Sequence, residues 1–583
     1  MMADRATTLN SKAQLPVRLP AWRARMVLIM LLLVFLVLIG RAVFLQGVNK
    51  NFLRQKGEAR YSRVITLNAN RGKILDRNGE PLAVSSPVES VAAAPRDVEA
   101  SPDKVSHLAR LLGLPESELK KKLGEQRDFT YLRRQLAPEQ AERVLKLDIP
   151  GVFLQREFRR YYPNGDVTAH LLGFTDLDDK GQEGVELAFN DQLAGASGSR
   201  RVLKDRLGNI IEGVESIRTP REGQDITLSI DRNIQWLAFR ELTAAVNENR
   251  ARAGAAVVLD ARTGEILALV NQPTYNPNDR VKNMSAGLMR NRVVTDTFEP
   301  GSTMKPFTAG FAIESGHFKP ETLINTEGGH LSIGPATIHD AHAAGVLTVA
   351  QVIQKSSNVG AAKMALTLAP EYMYSGFARL GFGKPPQIGF PGEASGRLRP
   401  YQTWRPIEQA TMSYGHGISV SLLQLARAYT VFTSEGELRH LSLRKTAQPE
   451  SAERVFSAST ALAVRKMLET VTQPGGTAPR AQVLGYRVGG KTGTAHKLDS
   501  HGNYSDRYVA SFVGFAPASD PRLIIAVMID EPSAGQYYGG TVAAPVFSRI
   551  MAGVLRMLAI QPDAPTQNML TPPGEAVEVR EET

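Results

Sequence analysis

Three groups of residues in this 583-residue chain have the types and spacing for nucleophilic chemistry. The first is Ser302 with Lys305, in Glu299-Pro300-Gly301-Ser302-Thr303-Met304-Lys305-Pro306-Phe307. Pro300 and Gly301 punctuate the chain ahead of the apolar run 307–313, so the stretch predicts a turn into a helix with Ser302 in its first turn. Residues three apart share a helix face, which brings the Lys305 amine to the Ser302 hydroxyl. A serine hydroxyl is a poor nucleophile at neutral pH, and an amine activates it only where burial or a positive field keeps part of that amine unprotonated. Spacing alone selects little, because Ser101 with Lys104, Ser117 with Lys120 and Ser442 with Lys445 repeat it without the Pro-Gly turn. What distinguishes Ser302 is its company: Ser356-Ser357-Asn358 inside Lys355-Ser356-Ser357-Asn358-Val359-Gly360, and Lys491-Thr492-Gly493-Thr494 after Gly489-Gly490.

The order S-x-x-K, S-x-N, K-T-G resembles the signature set of penicillin-binding proteins and serine β-lactamases. That resemblance implies roles. Ser302 attacks the carbonyl of a D-alanyl-D-alanine bond, Lys305 takes its proton, and Ser356 relays that proton toward the leaving nitrogen. Asn358 is expected to hydrogen-bond Lys305 and the substrate amide. Lys491, Thr492 and Thr494 suit the terminal carboxylate, and Gly493 leaves a strand edge bare for an added peptide strand. The backbone N–H groups of Ser302 and Thr494 form the implied oxyanion hole. Tyr414 and His416, in Ser413-Tyr414-Gly415-His416-Gly417, align with a cleft motif, and His416, with no paired acid motif nearby, is given no catalytic step. No metal or cofactor is expected, since no H-E-x-x-H or comparable spacing occurs.

Length predicts two or three folded units, and 22% charged against 43% hydrophobic residues suits globular domains. The absence of cysteine excludes a disulfide framework and thiolate metal sites. Residues 26–45 form an apolar run interrupted only by Arg41, roughly the 20 residues a bilayer requires. No small-x-small cleavage site follows it, so an anchor is favoured over a cleaved signal. Basic residues flank both ends, so a cytoplasmic N-terminus and an extracytoplasmic catalytic part, with single-pass placement in the inner membrane, rest on the resemblance rather than on charge. The net charge of +11 is scattered among acidic residues with no nucleic-acid module, which argues against nucleic-acid binding.

Around the anchor and the motifs, the pattern predicts a hairpin over 71–84 turning at Asn78-Gly79, helices within 100–150, a strand over 225–231 and a helix over 233–247. Buried strands follow over 254–260, 265–270, 491–495, 508–516 and 523–529, with helical runs over 349–366 and 422–432 between them. The 71–84 stretch, with Phe158 to Pro163, Ala169 to Phe174 and Gly181 to Glu186, resembles the non-catalytic pedestal of class B penicillin-binding proteins. There Arg159, Arg160, His170 and Glu186 are expected to serve structure and domain contact. Asn291-Arg292, Asn358 and Thr492 favour the septal, penicillin-binding protein 3 type.

The fold class so implied is α+β: a transpeptidase domain with a central antiparallel sheet, helices and an α-rich lobe, preceded by a transmembrane helix and a mixed pedestal. The expected division is a cytoplasmic segment 1–25, anchor 26–45, pedestal 46–230, transpeptidase domain 231–565 and disordered tail 566–583. The implied partners are peptidoglycan stem peptides (a D-Ala-D-Ala donor and an amine acceptor), β-lactams, the membrane, a lipid-II polymerase of the FtsW type and other division proteins. Alternatives are a specialised paralogue, a D,D-carboxypeptidase or β-lactamase-like hydrolase, and, of another class, a non-catalytic division scaffold or β-lactam sensor. His339, His342 and His416 depart from the family's familiar residues and carry no assigned role.

Overall fold

The computed structural model describes residues 20–48, 62–125, 127–204, 210–279, 285–446, 452–498 and 502–564. The expected tail 566–583 and most of segment 1–25 lie outside these. Helix α1, Ala21–Val43, buries no side chain and continues into a π turn through Val48. Among the described residues it is the one helix long and apolar enough to cross a membrane, with a window of mean hydropathy 2.9 inside Ala21–Gly47. Arg23 lies over the Trp22 ring at 5.4 Å and Arg41 over the Phe44 ring at 5.7 Å, so each end pairs a cation with an aromatic ring suited to a membrane interface.

The pedestal is built on Ile74–Leu75 (β1), Pro81–Ala93 (β2), Thr130–Leu136 (β3), Val152–Tyr161 (β4) and Ile226–Thr227 (β5), in the order β3-β2-β1-β5 with β4 also on β2. The β1–β2 turn closes because Asp76 Oδ1 accepts from the N–H of Asn78 (2.8 Å) and Glu80 (2.9 Å), and Gly79 takes φ 88°. Helices Pro102–Leu112 (α2), Glu116–Leu123 (α3) and Pro138–Leu145 (α4) share a small core of Leu108, Leu112, Leu119, Leu132 and Val144. The helical reading of 100–150 missed β3. Three consecutive polar residues, Arg133 to Gln135, break its alternation, and Gln135 sits at φ 59°. The expected strand 225–231 is shorter than its pattern: β5 alone pairs within this sheet, after which Leu228 bridges Arg444, Ser229 N–H donates to Leu443 O and Asp231 N–H to Leu267 O.

The same unit holds a knot of buried charge, with Arg160 on β4 itself. Glu186 accepts from Arg71 Nε at 2.7 Å and from Arg160 Nε at 2.6 Å, with all three side chains essentially inaccessible. Arg71 also donates to the carbonyls of Asp179 and Glu186 and to Asn190 Oδ1, so one carboxylate gathers distant segments. His170 Nε2 lies 2.7 Å from Leu288 O and Arg159 reaches Asn278 O at 3.4 Å, both contacts onto residues beyond the pedestal.

The second sheet is five antiparallel strands in the order Ile266–Gln272 (β7), Ala253–Asp260 (β6), Leu523–Asp530 (β12), Tyr504–Ala516 (β11) and Gly489–Leu498 (β10). Its central strands β6 and β12 are buried almost throughout, which explains their unbroken runs of small and branched apolar residues. Helices Arg232–Glu248 (α5) and Ala544–Met557 (α11) pack against it, α5 capped by Asp231 Oδ1 accepting from Asn233 and Ile234 N–H. Lys305–Glu314 (α6), Val349–Lys355 (α7), Asn358–Leu366 (α8), Pro406–Met412 (α9) and Ala458–Thr472 (α10) form the α-rich lobe beside β10. The single helical run expected over 349–366 is two helices, because Ser356 adopts φ 61° and ends α7. The fold is the expected α+β one: helices and an α-rich lobe around an antiparallel sheet, preceded by a pedestal and an apolar helix.

Removing the carboxylate that pairs two buried guanidinium groups leaves uncompensated charge, so Glu186→Gln is expected to lower unfolding free energy by about 3–5 kcal/mol in urea titration. Asp128→Ala, which breaks an exposed pair with Arg96, leaves the transition in place.

Candidate active site

The turn bearing Ser302 is not the first turn of an α-helix but a 3-10 turn, Gly301–Met304, leading into α6. The cause is local. Pro306 has no N–H to offer the Ser302 carbonyl, which instead accepts from Lys305 N–H and tightens the turn. Lys305 Nζ lies 2.9 Å from Ser302 Oγ. It lies 3.0 Å from Ser356 Oγ and also donates to the Ser356 carbonyl. From the other side, Lys491 Nζ is 2.9 Å from the same Ser356 Oγ and 3.0 Å from Thr492 Oγ1. Both lysines are fully buried and Ser302 is 4% exposed, so the line Ser302, Lys305, Ser356, Lys491 is shielded from bulk water.

Ser356 is offered to both lysines by the break between α7 and α8. Ser357 caps α8, accepting from Gly360 N–H at 2.9 Å and donating to Asp340 Oδ2 at 2.6 Å, while Asp340 Oδ1 accepts from Val359 N–H. Asp340 follows the hairpin His330–Ile333 (β8) and Ala336–His339 (β9). Asn358 Nδ2 donates to the His339 carbonyl at 2.9 Å, and Lys305 is engaged by Ser302 and Ser356. The His339 ring meets His330 edge-on at 4.9 Å, and His342 is exposed.

Strand β10 supplies the third group. A Cβ on Gly493 would lie 2.7 Å from Pro300 O and 2.5 Å from Ser511 Oγ, so this position is glycine because the nucleophile turn packs directly on the strand. This packing reason stands beside the bare-edge one expected from sequence, since β10 is the last strand of its sheet. Gly301, at φ 57°, brings its turn against the Thr494 carbonyl, which would be 3.1 Å from an added Cβ. The Thr492 hydroxyl pairs with Thr477 Oγ1 at 3.0 Å, and Thr494 Oγ1 accepts from Gly539 N–H at 3.1 Å. Ser302, Lys305, Ser356, Lys491, Thr492, Gly493 and Thr494 therefore meet in one place.

Tyr414 and His416 stand on a turn that buttresses the nucleophile turn: Gly415, at φ 88°, approaches so closely that a Cβ would lie 2.2 Å from Gly301 O. The His416 ring touches Tyr414 (centroids 5.2 Å apart) and Tyr504 (5.8 Å), and its Nε2 is buried with no hydrogen-bond partner. Burial, and next the nearby Lys305 and His496, pull the His416 imidazole down to about 4.

The decoy serines have other work. Ser101 caps α2 and accepts from Lys104 N–H, Lys104 Nζ reaches Asp148 O, Ser442 Oγ donates to Arg444 O, and Lys120 pairs with Glu116. Sequence reasoning missed Tyr504 and gave no role to Glu299, Asp340 and Ser357, although the motifs contain them. Only the acidic residue of Glu299-Pro300-Gly301-Ser302 offered a local signal. Among the described residues no group of three or more His, Cys, Asp or Glu side chains is placed to hold a metal ion.

The family model described as the penicillin binding protein transpeptidase domain matches residues 254–552, and that of the penicillin-binding protein dimerisation domain matches 66–228. The chain is 46% identical to the probable peptidoglycan D,D-transpeptidase PenA of Neisseria gonorrhoeae over 549 residues, 93% of this chain and 94% of that one. It is 42% identical to the peptidoglycan D,D-transpeptidase FtsI of Escherichia coli K12 over 553 residues, 94% of this chain and 93% of that one. Among solved structures, the apo transpeptidase domain of Burkholderia pseudomallei penicillin-binding protein 3 is similar with TM-score 0.54 and 51% identity, covering 58% of this chain and 98% of that domain.

A histidine held neutral in the folded chain but free to protonate when unfolded stabilises fully above the unfolded value near 6.5 and loses that contribution as pH falls toward 4. For His416 the loss amounts to about 3 kcal/mol at most. The decline in thermal midpoint between pH 6.5 and 4 is therefore expected to be shallower in His416→Gln than in the parent chain.

Proposed function

The chain belongs to the class B penicillin-binding proteins of the FtsI and PenA type and is a serine-type peptidoglycan D,D-transpeptidase; from that premise we propose that Ser302 is its nucleophile and Lys305 its base. Two ammonium groups sharing one hydroxyl inside a closed site repel, and burial adds to the penalty, so the site favours release of one proton. With Lys305 as the unprotonated partner, the Ser302 hydroxyl donates to it. Ser302 Oγ then adds to the carbonyl carbon of the D-alanyl-D-alanine bond while its proton passes to Lys305 Nζ. The resulting oxyanion sits at the backbone N–H groups of Ser302 and Thr494, where one donor is worth about 3 kcal/mol of barrier. Collapse breaks the C–N bond, and the proton returns through Ser356 to the leaving D-alanine nitrogen. The acceptor amine attacks the acyl-enzyme ester by the reverse relay, forming the cross-link and restoring the Ser302 hydroxyl. Lys491, Thr492 and Thr494 take the donor's terminal carboxylate, and Asn358 shapes the cleft by fixing the His339 carbonyl. Tyr414 and His416 border that cleft.

The observation that carries this reading is the run Ser302 Oγ, Lys305 Nζ, Ser356 Oγ, Lys491 Nζ, in which no neighbouring pair is more than 3.0 Å apart. Septal synthesis as the setting follows the FtsI relatives. A helix of membrane-spanning character near the N-terminus is present, and the accompanying reading is a cytoplasmic segment 1–25, an anchor over 26–45, a pedestal over 46–230 and a periplasmic catalytic domain over 231–565. A lipid-II polymerase of the FtsW type engages the anchor and pedestal in this reading.

Intact mass of the full chain in detergent with benzylpenicillin, followed by peptide mapping, tests the assignment. One adduct on Ser302 that persists for hours is expected, none in Ser302→Ala, and acylation at least ~100-fold slower in Lys305→Ala. An adduct that disappears within seconds while excess penicillin is consumed points to a hydrolase, and no adduct on the folded chain refutes the assignment.

A further inference from the structure

Three residues before the nucleophile, the Glu299 side chain spans three separate pieces of the catalytic domain. It belongs to the turn carrying Ser302. Its Oε1 accepts from Gly417 N–H at 2.8 Å, on the turn 413–417, and its Oε2 accepts from the Tyr504 hydroxyl at 3.1 Å, on the first residue of β11. These pieces lie 118 and 205 residues away in sequence, so the carboxylate is the point where they are fastened together. Both neighbours already press on the site. Gly415 rests against Gly301, Gly301 N–H points at Gly415 O at 3.4 Å, and Thr308 of α6 donates to Ser413 O at 2.9 Å. The Tyr504 ring lies on the His416 ring and near His496, at 5.8 and 6.2 Å.

We propose that Glu299 is a positioning residue for acylation, its carboxylate holding the Ser302 turn against the 413–417 turn and, through Tyr504, against the start of β11. The proposal rests on Ser302 as nucleophile. Its physical basis is that a turn with a tight 3-10 bond and a left-handed glycine has little of its own to fix its angle to the sheet, and the rate of attack depends on sub-ångström placement of Oγ. Burial pushes the Glu299 carboxyl up, and the two donors pull it back. The Tyr504 hydroxyl is raised by burial and by Glu299, which keeps it a donor. A charged acceptor with two donors is a stronger tether than a neutral bond.

The test is stopped-flow acylation of the full chain in detergent by a chromogenic cephalosporin over a range of concentrations, which separates non-covalent affinity from the acylation rate constant. Glu299→Ala and Tyr504→Phe are each expected to slow the rate constant about tenfold while affinity stays within about twofold. The double variant should be no slower than the slower single one, since both act through one tether. Glu299→Gln, whose amide oxygen still accepts from Gly417 and whose NH₂ can donate to the Tyr504 oxygen, should recover most of the loss, and circular dichroism of every variant should match the parent. Multiplying losses in the double variant, a Gln variant as slow as the Ala variant, or a change confined to affinity would overturn the proposal. A parent chain that is never acylated removes the Ser302 assignment and this proposal with it.

Discussion

The Ser356 hydroxyl stands between two buried lysine side chains, Lys305 and Lys491, with their Nζ atoms at 3.0 and 2.9 Å, and the catalytic half of the molecule is arranged to make that possible. Neither lysine is near it in sequence: one is 51 residues earlier and the other 135 later. A buried ammonium without oxygen partners is prohibitively unstable, so each of the three elements needs the other two in place. Helix α6 fixes Lys305, the break between α7 and α8 turns Ser356 toward it, and β10 brings Lys491 from the sheet edge. Activation of Ser302 is then a by-product of solving a burial problem.

The scaffold meets this demand by letting backbones touch where side chains would keep them apart. Gly493 admits the nucleophile turn onto β10, Gly301 bends that turn toward Thr494, and Gly415 lets a second turn press on the first. Behind them the aromatic cluster of Phe307, Phe382, Tyr429 and Phe432 holds α6, and Tyr429 donates its hydroxyl to the Thr303 carbonyl. Close approach on one side and dense packing on the other leave the serine turn few alternative positions.

Much of this was legible in the sequence, for a reason that differs from residue to residue. Ser302 and Lys305 are local, and their turn is written in Pro300, Gly301 and Pro306. Strands β6, β7 and β12 are legible because burial on both faces requires continuous apolar runs. Ser356 was legible as a motif member but not as a helix break, since a serine in a left-handed conformation is held there by its surroundings rather than by its own preference. Glu299 and Tyr504 meet 205 residues apart, and Asn358 and Asp340 meet partners 17 to 19 residues away across a hairpin and a helix break that no periodicity announces. The same holds for β3, whose polar middle follows from a kink at Gln135 rather than from an alternating face.

The knot of Arg71, Arg160 and Glu186 also imposes a schedule. A ribosome makes the chain from its N-terminus, so Arg71 emerges 115 residues before the carboxylate that neutralises it, and β5, the last strand of that sheet, emerges later still. The pedestal therefore cannot close progressively around Arg71 as it is made: its guanidinium stays hydrated until Glu186 arrives, and the sheet stays one strand short until Ile226 does. The unit nearest the membrane helix thus has all its partners only once its last strand is made, whereas the sheet of the catalytic domain waits for β10, β11 and β12 much later in the chain.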